Sequence, residues 1–177
     1  MMDRRVTAIV LRGTVGAGNW LEWLTFATSL GDHLRRPATH VGVLGGPLGS
    51  SKLRTLARMR SRLEETLDEE ESISGVSLYS LPKGFSSAFD CAFFAQKVVS
   101  LRYVAVGVRG TLDSDPWEYI LGRLGSHIEA ASGELVTADA ADLLGKYMGG
   151  TWPNSEISSL RVVRKLSIKK GKVPAFS

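Results

Sequence analysis

The prediction of the fold starts from Val6-Thr7-Ala8-Ile9-Val10-Leu11, a β-branched and apolar run that is followed at once by Arg12-Gly13-Thr14. Such a run is typical of a strand buried on both faces of a largely parallel sheet. A helix is predicted next, because Asn19 and Glu22 have capping-box spacing and apolar residues from Trp20 onward recur on one face. The opening of the chain therefore predicts a strand, a turn and a helix.

A second copy of this pattern occurs in the other half of the chain. Arg109-Gly110-Thr111 repeats Arg12-Gly13-Thr14, and Trp117 stands at the same spacing from it as Trp20 does from the first copy. The second copy also follows an apolar run, Tyr103 to Val108, and precedes a helical pattern. Agreement of motif, helix face and element order indicates an internal duplication.

These patterns predict an α/β (or α+β) fold of internally duplicated βαβαβ units, with a mainly parallel or mixed sheet and helices packed on it. We predict a single domain over residues 1–177, built from two repeats at about 5–82 and 100–170. An extra strand is expected between them, at about 89–99. A chain of this length can bury about two-thirds of its unfolded surface, so it needs no disulfide or structural metal to fold.

Composition limits the possible locations of the protein. The chain has 177 residues, of which 44% are hydrophobic and 23% charged, and a net charge of +4. Its apolar stretches fall far short of the roughly 20 residues that cross a bilayer, and the run before Arg12 is too short for the core of a signal peptide. The single cysteine, Cys91, excludes an internal disulfide and fits a reducing compartment. We therefore expect a cytoplasmic protein with no membrane partner.

Each Arg-Gly-Thr element is a candidate site for an anion or another small ligand. Open α/β sheets bind ligands where parallel strands end, and an arginine fork with free N–H groups there can hold a carboxylate or phosphate. The candidate residues are Arg12, Thr14, Arg109 and Thr111. The alternative is purely structural, with the glycines in tight turns and the arginines covering the sheet edge. Two aspartates in the second loop favour this alternative, because they would repel an anion.

The sequence contains no motif of catalytic or metal-binding residues. Its glycine loops lack the dinucleotide and P-loop patterns, no serine lies in a G-x-S-x-G elbow, and the three histidines lack metal-ligand spacing. Cys91 lies in an apolar segment, where a thiol is more often a core residue than a nucleophile. We predict no enzyme, no metal and no cofactor, although a carboxylate pair that meets only in the folded chain stays possible.

The predicted helix from Ser51 to about Glu71 has an unusual order of charges. Its first half carries Lys52, Arg54, Arg58, Arg60 and Arg62, and its second half carries Glu64, Glu65, Asp68, Glu69, Glu70 and Glu71. This order opposes the helix dipole, and a broken local rule often marks a functional surface. The predicted partner-binding residues are Arg58, Arg62, Glu65, Asp68 and Glu69. The alternative is a solvated helix with Arg60–Glu64 and Arg62–Glu65 ion pairs.

The segment after Glu156 contains basic residues and no acidic one. Its last strand is expected to run along an exposed edge, where basic side chains protect against edge pairing. Nucleic-acid binding is the rival interpretation. The chain lacks interleaved stacking aromatics and helix-turn-helix spacing, so we do not expect a nucleic-acid partner unless the segment joins Arg54, Arg58 and Arg62 in one basic surface.

Four features together resemble one type of protein. They are the duplicated Arg-Gly-Thr element, the charge-segregated helix, the single cysteine and the absence of a catalytic motif. The chain resembles the small α/β immunity proteins that bacteria encode beside secreted polymorphic toxins. The resemblance implies a non-enzymatic inhibitor, monomeric or homodimeric, that covers the active site of a toxin domain. Trp20, Trp117 and Trp152 would be candidate anchors if exposed. The alternatives are a ligand-binding α/β domain or enzyme that uses the strand-end crevice, and a nucleic-acid binder.

Overall fold

The described part of the chain is built around one antiparallel sheet. The computed structural model describes residues 4–67, 72–110, 112 and 115–177. The strands are β1 (Arg5–Thr14), β2 (His40–Leu44), β3 (Arg54–Thr55), β4 (Gly75–Ser80), β5 (Phe93–Val98), β6 (Tyr103–Arg109), β7 (Glu129–Asp139), β8 (Arg161–Ser167) and β9 (Ala175–Phe176). The described strands pair in the order β3-β2-β4-β5-β6-β1-β7-β8-β9, and each pair of neighbours is antiparallel.

Four α-helical segments accompany this sheet in the described residues. They are α1 (Trp20–His33), α2 (Leu56–Thr66), α3 (Trp117–Leu124) and α4 (Ala140–Asp142), and α4 continues into a π-helical turn at Leu143–Tyr147. Short 3-10 turns occur at Ala88–Asp90, Gly125–His127 and Asn154–Glu156. Among the helices that the structure describes, none combines the length and the apolar character needed to cross a membrane.

The prediction of an α/β fold with a mainly parallel or mixed sheet is wrong. The strand–helix–strand pattern does create two parallel pairs, because the register makes β2 parallel to β1 and β7 parallel to β6. However, β4, β5 and β6 lie between β1 and β2, and β1 lies between β6 and β7. The two strand–helix–strand connections therefore join strands that are not neighbours in the sheet. Every pair of neighbouring strands in the described sheet is antiparallel.

The predicted internal repeat is also wrong at the level of the fold. After β1 and α1 the chain crosses three strands before it forms β2, whereas after β6 and α3 it crosses one strand, β1, and forms β7 on the other side of it. The helices differ as well, since Trp20 is 1% exposed while Trp117 is only half-buried. The shared Arg-Gly-Thr and tryptophan spacing thus occurs in two structurally different places.

Both faces of the sheet are covered, which explains the apolar runs. Ile9 and Leu11 of β1 belong to a core under α1, α2 and α3, while Val6, Ala8 and Val10 belong to a second core on the opposite face. Leu143, Tyr147 and Ile157, in and after the π-helical turn, cover that second core. A continuous apolar run indicates that a strand is buried on both faces, but it does not indicate whether its neighbours are parallel or antiparallel.

The charged helix begins later than the sequence predicts. Thr55 pairs with His40 and extends the sheet as β3, and Leu56 then donates a backbone hydrogen bond to the carbonyl of Thr39 at 2.9 Å. The helix therefore starts at Leu56, with Thr55 in an extended conformation before it. Lys52 and Arg54 consequently lie outside α2.

Candidate functional site

The outer face of α2 carries the charged residues that sequence analysis selected. Leu56, Met59 and Leu63 are buried in the core. Arg58, Arg62 and Glu65 are exposed, and their spacing of four and three residues places them along one line of the helix surface. We call these three residues the α2 outer face. Asp68 and Glu69, the other two predicted partner-binding residues, lie outside the described residues.

The charges of α2 are arranged against the helix dipole. The first turn contains no acidic residue, and the last turn contains no basic one. Arg60 pairs with Glu64 at 3.1 Å across an exposed surface, whereas Arg58 and Arg62 form no ion pair with any described residue. Each unfavourable charge at a helix end costs a few tenths of a kcal/mol, and like charges four residues apart cost a similar amount. The described part of α2 thus presents two unneutralised guanidinium groups to solvent.

The guanidinium of Arg12 forms hydrogen bonds with backbone carbonyls of the same protein. Its guanidinium donates to the carbonyl of Tyr147 at 2.6 Å and to that of Met148 at 3.2 Å, and it lies 5.1 Å from the centre of the Tyr147 ring. The Tyr147 hydroxyl donates to a carboxylate oxygen of Glu134 at 2.8 Å, and burial raises the pKa of this tyrosine. Arg12 therefore anchors the end of the π-helical turn to the sheet.

Arg109 has the same role at the other end of the sheet. Its side chain donates to the carbonyl of Cys91 at 3.0 Å and also to that of Phe89. Antiparallel pairing places Arg12 opposite Tyr103 and Arg109 opposite Val6. Six residues of extended strand separate the two arginines, or about 20 Å. The structure does not bring Arg12 and Arg109 into one crevice.

The two threonines of these elements have separate positions. Thr14 is exposed at the end of β1 and borders a cavity of about 880 Å³. Thr111 lies outside the described residues. The arginine side chains of both elements are thus bound to backbone carbonyls.

Two of the tryptophans belong to the core. Trp23 is completely buried and its indole N–H donates to the carbonyl of Val76 at 3.0 Å, while Trp20 is 1% exposed. Trp117 is half-buried. Trp152 is 45% exposed, with the ammonium of Lys146 5.2 Å from its ring centre. Of the three candidate anchors, Trp20 is unavailable to a partner and Trp152 is the most accessible.

Lys97 is a buried charge that sequence analysis missed. It is 2% exposed, and its register partners on β4 and β6 are Val76 and Val104. Its ammonium donates to the carbonyl of Gly18 at 2.8 Å and lies 4.6 Å from the centre of the Trp20 ring, at the border of the 880 Å³ cavity. Lys97 thus fixes the loop between β1 and α1. The sequence signal that could have indicated this buried charge is a single lysine within the mostly apolar segment from Phe93 to Val98.

The histidines are separated from one another. His33 lies beside Tyr119 and His40 beside Phe85. His127 packs at 5.1 Å from the Trp23 ring and at 5.0 Å from the Phe26 ring. Burial, reinforced by the nearby Lys97 ammonium, lowers the pKa of His127. Within the described residues, no three histidine, cysteine or carboxylate side chains are grouped as metal ligands.

Cys91 is expected to resist alkylation while the protein is folded. It is buried, and desolvation raises the pKa of its thiol to about 12. Since the thiolate is the reactive form, labelling by iodoacetamide at pH 8 should be about a thousandfold slower in native buffer than in 6 M guanidinium chloride. Mass spectrometry follows both rates. Equal labelling rates, with an unchanged circular dichroism spectrum, would show that the thiol is accessible.

The two basic regions of the chain do not merge. Arg58 and Arg62 lie beside β2 and β3 at one side of the sheet, whereas Arg161, Arg164 and Lys165 lie on β8. Six strand spacings separate β2 from β8, or about 30 Å. The single basic surface that would favour a nucleic-acid partner is not formed by these residues.

The chain was compared with protein families, curated proteins and solved structures. No protein-family model matches the chain, and no curated protein or solved structure matches it either.

Proposed function

We propose that this chain is a non-enzymatic binding protein that neutralises a bacterial toxin domain in the cytoplasm, with the α2 outer face as its docking surface. The observation that carries the proposal is the exposed line of Arg58, Arg62 and Glu65 on a helix whose order of charges opposes its dipole. A partner surface that supplies carboxylates to the two arginines would relieve this unfavourable arrangement.

The position of α2 supports a role in docking. One side of the helix is fixed to the core by Leu56, Met59 and Leu63, so the outer face is held on a rigid element. The helix lies beside β2 and β3, at one side of the described sheet. A partner can therefore approach α2 without contacting the rest of the sheet.

The proposal also assigns a chemistry to the contact. Arginine presents a planar fork that binds carboxylates in pairs of hydrogen bonds, and arginines are common among the residues that dominate the energy of protein interfaces. Glu65 adds one acidic group at the end of the same line. A toxin surface with two carboxylates and one neighbouring basic group would be complementary to it.

The experiment is a purification from the native host followed by a growth test. The tagged wild-type chain should retain one stoichiometric protein partner, and the double variant Arg58→Glu/Arg62→Glu should retain at least about tenfold less, because each reversed contact is worth roughly a factor of ten. When the partner is expressed alone, it should stop growth. Co-expression of the wild-type chain, but not of the double variant, should restore growth.

A matched control reverses two exposed charges elsewhere. Lys52 and Lys83 are both exposed and lie outside α2, so Lys52→Glu/Lys83→Glu should retain the partner and restore growth as the wild type does. Thermal melts verify that each variant is folded. A partner that does not inhibit growth, or growth restored equally by the α2 variant, would contradict the proposal.

A further inference from the structure

A second surface lies at the other side of the sheet, where β8 has an outer edge with little pairing. β9 pairs with β8 only at Leu166 and Ser167. In the described part of the chain, no strand pairs with the outer edge of residues 161–164, which we call the β8 edge. Val162 is 41% exposed and Val163 52% exposed, so this edge presents apolar side chains to solvent beside unpaired backbone groups.

A groove lies beside this edge, on the face of the sheet that carries α3. It has a volume of about 480 Å³, and we call it the α3 groove. Its apolar wall contains Val108, Leu112, Trp117, Leu135 and Val163. Asp115 also borders the groove, but its carboxylate accepts the backbone N–H of Trp117 at 3.1 Å. The groove is large enough for one bulky apolar side chain, and it ends at the β8 edge.

A bulge places two residues of β8 together at this groove. Val136 pairs with Val162 and Leu135 pairs with Arg164, which makes Val163 the extra residue. Val163 and Arg164 both border the α3 groove. The guanidinium of Arg164 lies 4.1 Å from the centre of the Phe176 ring, which holds it in place. An apolar contact and a cation are thus adjacent on the wall of the groove.

The charge of β8 determines which strand it can accept. Arg161, Arg164 and Lys165 are exposed, and the chain contains no acidic residue after Glu156. If a second copy paired with this edge about Val163, Arg161 would lie opposite Lys165. Like charges that face each other across strands are destabilising, whereas opposite charges stabilise the pair. Basic edges and bulges protect against self-pairing, but neither excludes an acidic strand.

We propose that the β8 edge and the α3 groove together bind an extended acidic segment of another protein, in which a glutamate or aspartate stands two residues before and two residues after a bulky apolar residue, on the same face of the strand. The segment adds a strand to the sheet through backbone hydrogen bonds, as in other peptide-binding sheets. Its carboxylates pair with Arg161 and Arg164, and its apolar side chain enters the groove beside Val163. This surface is independent of the α2 outer face.

The test uses the purified full chain and the fluorescein-labelled peptide Thr-Glu-Thr-Leu-Thr-Glu-Thr, whose leucine and glutamates share one face of an extended strand, with binding followed by fluorescence anisotropy. The variant Arg161→Glu/Arg164→Glu should bind at least tenfold more weakly than the wild type, and Lys52→Glu/Lys83→Glu should bind as the wild type does. Val163→Asp, at a position already half exposed, is a second variant with the same expected loss. Replacing the central leucine of the peptide with glycine should weaken binding about tenfold.

Amide hydrogen exchange then separates strand addition from simple charge attraction. The bound peptide should slow exchange within residues 161–164, and a peptide with lysine in place of each glutamate should neither bind nor slow it. The proposal is overturned if the wild type does not bind the peptide or if the Lys52/Lys83 control loses as much affinity. It is also overturned if binding leaves these amides unprotected, or if a single-stranded DNA decamer displaces the peptide and binds the same surface more tightly.

Discussion

Replacement of Trp23 with alanine is expected to lower the free energy of unfolding by about 4 kcal/mol, because the change removes the largest kind of side chain from a site with no exposure. The indole packs at 5.4 Å from the Phe26 ring and at 5.1 Å from the His127 ring, so its loss leaves a cavity between α1 and the turn that follows α3. It also removes the donor to the carbonyl of Val76. For a chain of this size, the expected decrease in Tm is about 12 °C.

Urea unfolding at 25 °C measures this effect, and Trp152→Ala is the matched control. Trp152 is 45% exposed and its contact with Lys146 is a surface contact, so its removal should cost less than about 1 kcal/mol. If the two variants lost similar stability with equal urea slopes, Trp23 would not have the buried position described above.

Gly13→Ala is the second large effect, with an expected loss of about 3 kcal/mol. A Cβ atom at Gly13 would lie 2.1 Å from the carbonyl oxygen of Glu129 and 2.8 Å from the backbone nitrogen of Ala131. Both atoms belong to the backbone of β7, which cannot move away as the end of a flexible side chain could. The register between β1 and β7 shifts between Arg12 and Gly13, so the strain falls at an existing bulge.

Gly16→Ala, three residues further along in the loop after β1, provides the control for this prediction. No described atom lies within 4 Å of a Cβ at Gly16, and this position does not require a left-handed backbone. The variant should be neutral or more stable by up to about 1 kcal/mol, since alanine restricts the unfolded chain. Differential scanning calorimetry compares the two, and equal melting temperatures would refute the close approach at Gly13.

Gly13 also illustrates what sequence analysis can predict and what it cannot. The apolar run before it does form a strand, and the pattern from Trp20 onward does form a helix. The sequence pattern predicts a turn at this glycine, but Gly13 lies within β1 and is required by the close approach of β7. The residues that impose this requirement, Glu129 to Ala131, are distant in the sequence, and no local pattern reports them.

The same limit applies to strand direction and to the candidate ligand residues. A strand–helix–strand pattern predicts that two strands are parallel, and the structure does make β1 and β2 parallel. The pattern cannot show which other strands enter between them. Because β6 pairs antiparallel with β1, the strand ends that carry Arg12 and Arg109 lie at opposite ends of this strand pair. Arg58, Arg62 and Glu65, by contrast, lie exposed on a helix that local spacing predicts, although this helix begins at Leu56 and not near Ser51.

The central position of β1 has a consequence for synthesis on the ribosome. β1 is translated well before the two strands that it pairs with, β6 and β7, which end at Arg109 and Asp139. At about 5–20 residues per second, roughly ten seconds pass before both partners have been made. During this interval the nascent chain carries an apolar strand with two unpaired edges. A chaperone that binds short apolar segments would find a target in β1.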